Sequence, residues 1–204
     1  MTRQTLSEYA QLLERYRGTL DLVSARGFED LDRLIDEARA YAAVVSHLAG
    51  EKSVVVDLGS GAGLPGIVVA AELPGATVHL VERRRRRGAF LEMAVARLGL
   101  SNAAVHTTDI TKLSGVCADA VTAQAVSSFA AVTRLTRHLH RDPCFLISRR
   151  GADWGEEFRD VSDWLSASAE EDSALAVADE RPLGHDGSLV ALRLVGGTAC
   201  PPSG

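Results

Sequence analysis

The sequence predicts an α/β fold with a mainly parallel sheet, preceded by a helical extension. Three observations carry this. Short apolar, β-branched runs alternate with segments of helical period between residues 53 and 168, as in successive β-α-β units. A glycine-rich turn, Gly59 to Gly66, follows the first of those runs directly, where open α/β sheets bind ligands. The first 50 residues show helical spacing alone.

Leu6, Tyr9, Leu13, Tyr16 and Leu20 recur at intervals of three and four and make one apolar stripe, with Thr5 or Ser7 as a cap. Phe28, Leu31, Leu34, Ile35, Ala38, Tyr41, Ala42 and Val45 make a second stripe, with Asp21 to Gly27 connecting the two and Gly50 ending the region. Val54-Val55-Val56, ending in Asp57, reads as a buried strand. An apolar helical stretch follows the glycine turn to Leu73, and Pro74-Gly75 is a turn. Ala76 to Val81 is the second strand, ending in Glu82, and Arg83 to Leu98 is a helix stopped by Gly99. Ala103 to Thr107 is a third strand and Ala118 to Val126 a fourth. Phe129 to His140 is a helix, Cys144 to Ser148 a fifth strand, and Ala152 to Ala167 a helix. Residues 169–173 are acidic and solvated. Leu175 to Ala178 and Leu189 to Val195 are two further strands, read as an antiparallel addition at the sheet edge. The chain thus divides into a helical extension (1–50), a ligand-binding α/β domain (51–196) and a flexible tail (197–204).

Composition excludes several classes. The 204 residues are 46% hydrophobic and 24% charged, an ordinary globular balance. The net charge of −5 excludes a globally basic nucleic-acid binder, though not a local basic patch. No apolar run reaches the roughly 18–20 residues that span a bilayer, and charges interrupt the N-terminus where a signal peptide has its apolar core. Cys117, Cys144 and Cys200 stand far apart without a CxxC pair. They are read as neither a disulfide framework nor a zinc site, which suits a reducing cytoplasm.

The glycine turn and three acids define the candidate site. Asp57, Glu82 and Asp109 close or follow three successive strands. A carboxylate ending the second strand can accept both hydroxyl hydrogens of a ribose. Asp109 can accept from an adenine amino group while Ile110 packs on the ring. A dinucleotide would use GxGxxG directly after the strand, whereas Gly61, Gly63 and Gly66 match that spacing four residues late. Asp57 would repel a pyrophosphate but suits the ammonium of a methionyl tail, so S-adenosylmethionine is the favoured ligand and a dinucleotide the alternative.

The segment Val56-Asp57-Leu58-Gly59-Ser60-Gly61-Ala62-Gly63-Leu64-Pro65-Gly66-Ile67 resembles the cofactor loop of the RsmG/GidB family, the 16S rRNA guanine-N7 methyltransferases. Leu80-Val81-Glu82 with the basic run and Ala89-Phe90-Leu91 after it resembles that family's second-strand segment. Asp119 to Ala123 resembles its fourth strand, and Leu20 to Ala25 its N-terminal stretch. The resemblance spans roughly residues 10–150. It implies a class I methyltransferase (Rossmann-like) fold, S-adenosylmethionine as methyl donor and 16S rRNA as acceptor. The cofactor contacts it implies are Asp57, Gly59, Ser60, Gly61, Gly63, Leu64, Glu82, Arg83, Asp109 and Ile110.

The departures lie on the acceptor side. Gln124 stands where the family has an arginine, and Leu34 to Arg39 lacks the family's histidine. Arg149-Arg150-Gly151 replaces Lys-Gly, and Asp109-Ile110-Thr111 replaces Arg-Ala-Glu. Gln124 is the candidate catalytic residue, and Gln124, Arg149 and Arg150 are the candidate acceptor contacts. Two acceptors fit: 16S rRNA, or a ring nitrogen of a small heterocyclic metabolite. A cofactor-sensing domain without transfer, and a dehydrogenase, are the readings from other classes. The five arginines Arg83 to Arg87 are either a solvated helix start or a phosphate-binding patch. The histidines are read as surface residues without a metal role, Trp154 and Trp164 as core packing or a lid, and Cys144 as an inert buried thiol. The N-terminal helices serve either as an acceptor platform or as a dimer surface.

Overall fold

A computed structural model describes residues 3–20, 22, 30–167, 173–183, 187–196 and 200. Helices α1 (Arg3–Leu20) and α2 (Leu31–Leu48) come first. Then follow β1 (Val54–Leu58), α3 (Gly66–Glu72), β2 (Thr77–Val81), α4 (Arg85–Arg97) and β3 (Ala103–His106). A 3-10 turn, Ile110–Lys112, leads to β4 (Ala118–Ala123), α5 (Phe129–Thr136) and β5 (His140–Arg150). Helix α6 (Trp154–Ala167), β6 (Ala174–Pro182) and β7 (Ser188–Val195) complete the order. The seven strands form one sheet, β3-β2-β1-β4-β5-β7-β6. The first five are mutually parallel, while β7 runs antiparallel to β5 and β6 antiparallel to β7.

Alternation along the strands divides the core into two layers. Val55, Val78, Leu80, Ala120 and Ile147 face one side, where Tyr9, Leu13, Tyr41, Ile67 and Leu91 of the first four helices cover them. Val56, Val81, Val121, Leu146 and Val190 face the other, covered by Phe129, Val132, Val161 and Leu165 of α5 and α6. Strand β1 sits centrally between β2 and β4 and is buried on both faces, which is why it reads as an unbroken valine run. The strand order reverses at β1 and β4, and the crevice beyond their carboxyl ends is the fold's binding position.

Several expected boundaries are corrected. Helix α1 begins at Arg3, so Thr5 and Ser7 lie inside it and do not cap it. Helix α4 begins at Arg85, leaving Arg83 and Arg84 in the turn. Strand β4 stops at Ala123. Helix α5 ends at Thr136, where the Thr133 and Thr136 hydroxyls donate to the carbonyls of Phe129 and Val132 at 2.8 Å each. Such back-bonding competes with helix continuation. His140, read as a surface residue, is fully buried; it opens β5 and meets Thr136 Oγ1 at 2.8 Å. Strand β5 extends to His140–Arg150 because β4 and β7 supply partners on both sides. His79 and His106 are also half-buried and face each other, Nδ1 to Nε2, at 2.9 Å. Trp154 and Trp164 pack on the second core layer, as one of the two readings held.

The cysteine reading is corrected at two of three positions. Cys117 and Cys200 form a disulfide across 83 residues, with Cα atoms 5.6 Å apart. Strand β7 carries the chain back past the start of β4, a proximity that sequence spacing does not encode. Cys144 is a free buried thiol, as expected. Among the described residues no group of three or more metal-ligating side chains occurs, and no helix is long and apolar enough to cross a membrane. The predicted connection Asp21 to Gly27 apart from Leu22, Phe28, the acidic residues 169–172, His185 and nearly all of the predicted tail lie outside the described residues.

Candidate functional site

A cavity of about 440 Å³ opens at the carboxyl ends of β1, β2 and β4. Leu58 and Gly59 lead into it from β1, and Val81, Glu82, Arg83 and Arg84 from β2. Arg87 comes from α4. Thr108, Asp109 and Ile110 come from the turn after β3. Ala125, Val126 and Ser127 come from the turn after β4, and Leu135 from α5. Five of the ten predicted cofactor residues therefore line one space: Gly59, Glu82, Arg83, Asp109 and Ile110. Of the other five, Asp57 lies beneath the loop, and Ser60, Gly61, Gly63 and Leu64 belong to the loop outside the cavity lining.

The loop is held by its neighbours' backbone and by carboxylates. The amides of Gly59 and Ser60 both donate to the Val81 carbonyl, at 2.9 and 3.0 Å. Glu82 is buried, and its two oxygens accept from the Gly61 amide at 3.2 Å and the Arg84 amide at 2.8 Å. An ionised carboxylate has about four lone-pair sites, so accepting capacity remains for a ligand in the cavity. Gly59 adopts a φ of +72°, and a Cβ there would stand 2.8 Å from Val126 Cγ2. Only glycine combines that backbone with so close a rim.

Asp57 lies under the loop and is 1% exposed. It does not line the cavity, so the direct ammonium contact read from the sequence is not what the geometry offers. Thr122 of β4, its register partner, donates from Oγ1 to Asp57 Oδ1 at 2.7 Å. The other oxygen, Oδ2, is buried without a side-chain partner and lies against Gly66, the first residue of α3. Burial pushes the Asp57 carboxyl up to about 6, against the lowering effect of its hydrogen bonds. From the first helix, the buried Tyr9 hydroxyl donates to the Ala62 carbonyl at 2.8 Å. Sequence reasoning missed Tyr9 and Thr122 as site residues: in sequence Tyr9 is one member of an apolar stripe, and Thr122 gains its role from strand register.

Asp109 is exposed and caps the 3-10 turn, accepting on Oδ1 from the Thr111 amide at 3.0 Å and hydroxyl at 2.8 Å. Those bonds, the amide's first, hold its carboxyl below the usual range. Ile110 is buried beside it. Leu135 lines the same space, a residue that had no sequence signal because its position depends on how α5 packs.

On the acceptor side, Gln124 follows the last residue of β4, is half-buried and stands just outside the cavity lining. Its neighbour Ala125 has a φ of +54°, uncommon for a residue with a Cβ and frequent at functional turns. Arg149 and Arg150 end β5 on the same carboxyl edge, as expected, but both are engaged internally. Arg150 Nη1 is 3.3 Å from Glu157 Oε2, and its guanidinium stands 4.4 Å from the centre of the Phe129 ring. Arg149 faces the buried Glu37 at 3.9 Å, and its amide donates to the Tyr41 hydroxyl at 2.7 Å.

The residues fit S-adenosylmethionine. The cavity offers a carboxylate at the end of β2 for ribose hydroxyls, and an acid beside apolar Ile110 and Leu135 for an adenine. The loop's backbone closes over a buried anion. Together the doubly wound sheet and this site define an S-adenosylmethionine-dependent methyltransferase.

Comparison with known proteins agrees. Residues 2–183 match the GidB family, described as rRNA small subunit methyltransferase G. The chain is 31% identical to the ribosomal RNA small subunit methyltransferase G of Stenotrophomonas maltophilia over 180 residues, covering 87% of this chain and 83% of that protein. It is 32% identical to the protein of the same name from Nitrosomonas eutropha over 157 residues, 72% of this chain and 69% of the relative. The chain belongs to the GidB family. Solved structures share the fold at low identity. The O-methyltransferase TomG of Streptomyces achromogenes, in complex with S-adenosylmethionine, is 16% identical and covers 97% of this chain and 92% of its own, with a TM-score of 0.61. An O-methyltransferase from Bacillus cereus is 13% identical, with 96% and 92% coverage and a TM-score of 0.63. Nothing among these relatives supports the alternative of a small heterocyclic acceptor, and the dehydrogenase reading falls with the cofactor assignment.

Proposed function

We propose that this chain transfers a methyl group to N7 of a guanine in 16S rRNA of the small ribosomal subunit. Family membership supports the acceptor class, since the relatives carry the name of small-subunit rRNA methyltransferases. The observation that carries the mechanism is the cavity joining Gly59, Glu82, Asp109 and Ile110 to the turn Ala125–Ser127 that follows Gln124. One opening holding both sets of residues supports a cofactor cradle beside an acceptor wall.

When bound, S-adenosylmethionine supplies an electrophilic methyl group on a sulfonium sulfur. Guanine N7 carries a free in-plane lone pair, so no proton must leave before attack and no general base is required. The protein's task is to place the nitrogen in line with the methyl group and to exclude competing geometries. Glu82 would accept from the ribose hydroxyls, Asp109 from the adenine amino group, and Ile110 and Leu135 would pack against the adenine. The buried carboxylate of Asp57 beneath the loop would favour the positively charged ammonium of the methionyl tail. Gln124, an uncharged donor and acceptor, holds the edge of the guanine. Arg149 and Arg150 shape the neighbouring strand end.

The test is methyl transfer from labelled S-adenosylmethionine to 30S subunits that lack the family's guanine-N7 mark. Label is expected at one guanine N7 of the 16S rRNA, and its absence overturns the reading. Gln124→Ala is expected to lower turnover on the subunits by about tenfold or more, a scale set by misplacement of the reactants, with cofactor affinity kept. A loss of cofactor binding equal to the loss of turnover would remove Gln124 from the acceptor side.

A further inference from the structure

We infer that the exposed arginines at the start of α4, with Arg85 and Arg86 at their centre, are a docking surface for the sugar–phosphate backbone of the RNA that carries the target base. The inference rests on the acceptor reading above and adds the residues that hold the RNA.

The run Arg83 to Arg87 begins directly after Glu82, at the carboxyl end of β2. Arg83 to Arg86 are exposed, whereas Arg87 is half-buried, with Nη1 3.6 Å from where a Gly61 side chain would begin. Arg83 and Arg84 also line the cavity, so the exposed run continues outward from its mouth.

Contiguity at the cavity mouth sets this run apart. Arg33, Arg39, Arg141, Arg149, Arg150, Arg159 and Arg181 each face a carboxylate in an ion pair. Single arginines such as Arg97, Arg134 and Arg193 also lack an ion pair, but only Arg83 to Arg86 are exposed, adjacent and without one among the described residues, with Arg83 near enough to Asp109 to lower its carboxyl. The first turn of α4 holds no acidic residue. A helix N-terminus already carries partial positive charge, so cations there are unfavourable, and adjacent guanidinium groups repel one another. The free chain therefore holds a cluster that works against its own helix, and a polyanion laid along it relieves both effects. Arginine forks match phosphate oxygens in pairs, and phosphate contacts set the position and register of a bound nucleic acid.

The placement suits a backbone tracked past the cofactor opening. The run lies on the β2 side of the β1 loop. The uncharged turn Ala125–Ser127, with Val126 40% exposed, lies on the β4 side. A strand held on the arginines presents its base toward the cavity between the two. Arg149 and Arg150, the other basic candidates on this edge, are drawn into contacts with Glu37 and Glu157.

The experiment uses the full chain, labelled S-adenosylmethionine and 30S subunits lacking the guanine-N7 mark. It compares the parent with the pairs Arg85→Gln/Arg86→Gln and Arg85→Lys/Arg86→Lys. For the glutamine pair the expected result is a KM for subunits raised about tenfold. The slope of log binding constant against log salt becomes shallower by about 1.4–1.8, two phosphate contacts' worth. Cofactor affinity stays at the parent value, and the melting temperature is equal or higher, because the helix loses an unfavourable charge. The lysine pair retains most of the subunit affinity. If the parent labels 16S rRNA while the glutamine pair shows an unchanged KM and an unchanged salt slope, this surface is overturned and the acceptor reading stands. If the parent leaves the rRNA unlabelled, the acceptor reading falls and this inference falls with it.

Discussion

Asp57 shows how a single residue takes its behaviour from burial. Thr122 donates to one of its oxygens, yet desolvation dominates and the carboxyl is pushed up to about 6. The folded chain thus holds this proton more tightly than the unfolded chain does. The stabilisation is complete below about pH 4 and is lost as pH rises through about 6, a change on the order of 3 kcal/mol by linkage. Asp57→Asn removes that titration. Melting curves taken from pH 4 to 7 without cofactor are expected to show the parent losing stability relative to the variant as pH rises. Parallel curves would contradict the assignment. On the proposed function, ionised Asp57 favours the ammonium of the cofactor, so cofactor binding by the parent is expected to weaken as pH falls below about 6. The variant's affinity is expected to be lower throughout and nearly flat with pH, as measured by calorimetry.

At the scale of elements, the N-terminal helices are tied to the catalytic edge of the sheet by two tyrosines. Tyr9 of α1 reaches the Ala62 carbonyl within the glycine loop. Tyr41 of α2 accepts from the Arg149 amide at the end of β5 and lies 3.4 Å from the Ala123 carbonyl at the end of β4. Both rings are fully buried, so both hydroxyls act where water cannot replace them. Tyr9→Phe keeps the ring and its packing but leaves the Ala62 carbonyl without this donor, at a cost of about 1–3 kcal/mol. The variant is expected to melt lower and to bind S-adenosylmethionine more weakly, because the loop loses its anchor. Cofactor affinity equal to that of the parent in calorimetry would confine Tyr9 to a purely structural role. The amphipathic stripes of α1 and α2 were readable from spacing, but the polar tips of these tyrosines acquire a purpose only against the loop and strand ends that they meet.

For the molecule as a whole, the return of β7 along β5 brings Cys200 back to Cys117. Thiol titration in denaturant is therefore expected to find one reactive cysteine per chain before reduction, Cys144, and all three afterwards. Three before reduction would show that the 83-residue loop is left open. The sequence by itself determined the α/β class, the central buried strand, the glycine loop, and the acids Asp57, Glu82 and Asp109 at successive strand ends. These features are local: periodicity, β-branched runs, turn residues and the position of a charge after a strand act over a few neighbouring residues. Tertiary structure alone decided which of them share a cavity and which lie beneath it. It also decided that Arg149 and Arg150 are drawn inward while the arginines after Glu82 stay exposed, and that Tyr9 and Thr122 hold the site. The reason is that register and helix packing join residues tens of positions apart, and a buried carboxylate or an unneutralised guanidinium is defined by those distant partners and not by its own neighbours in the chain.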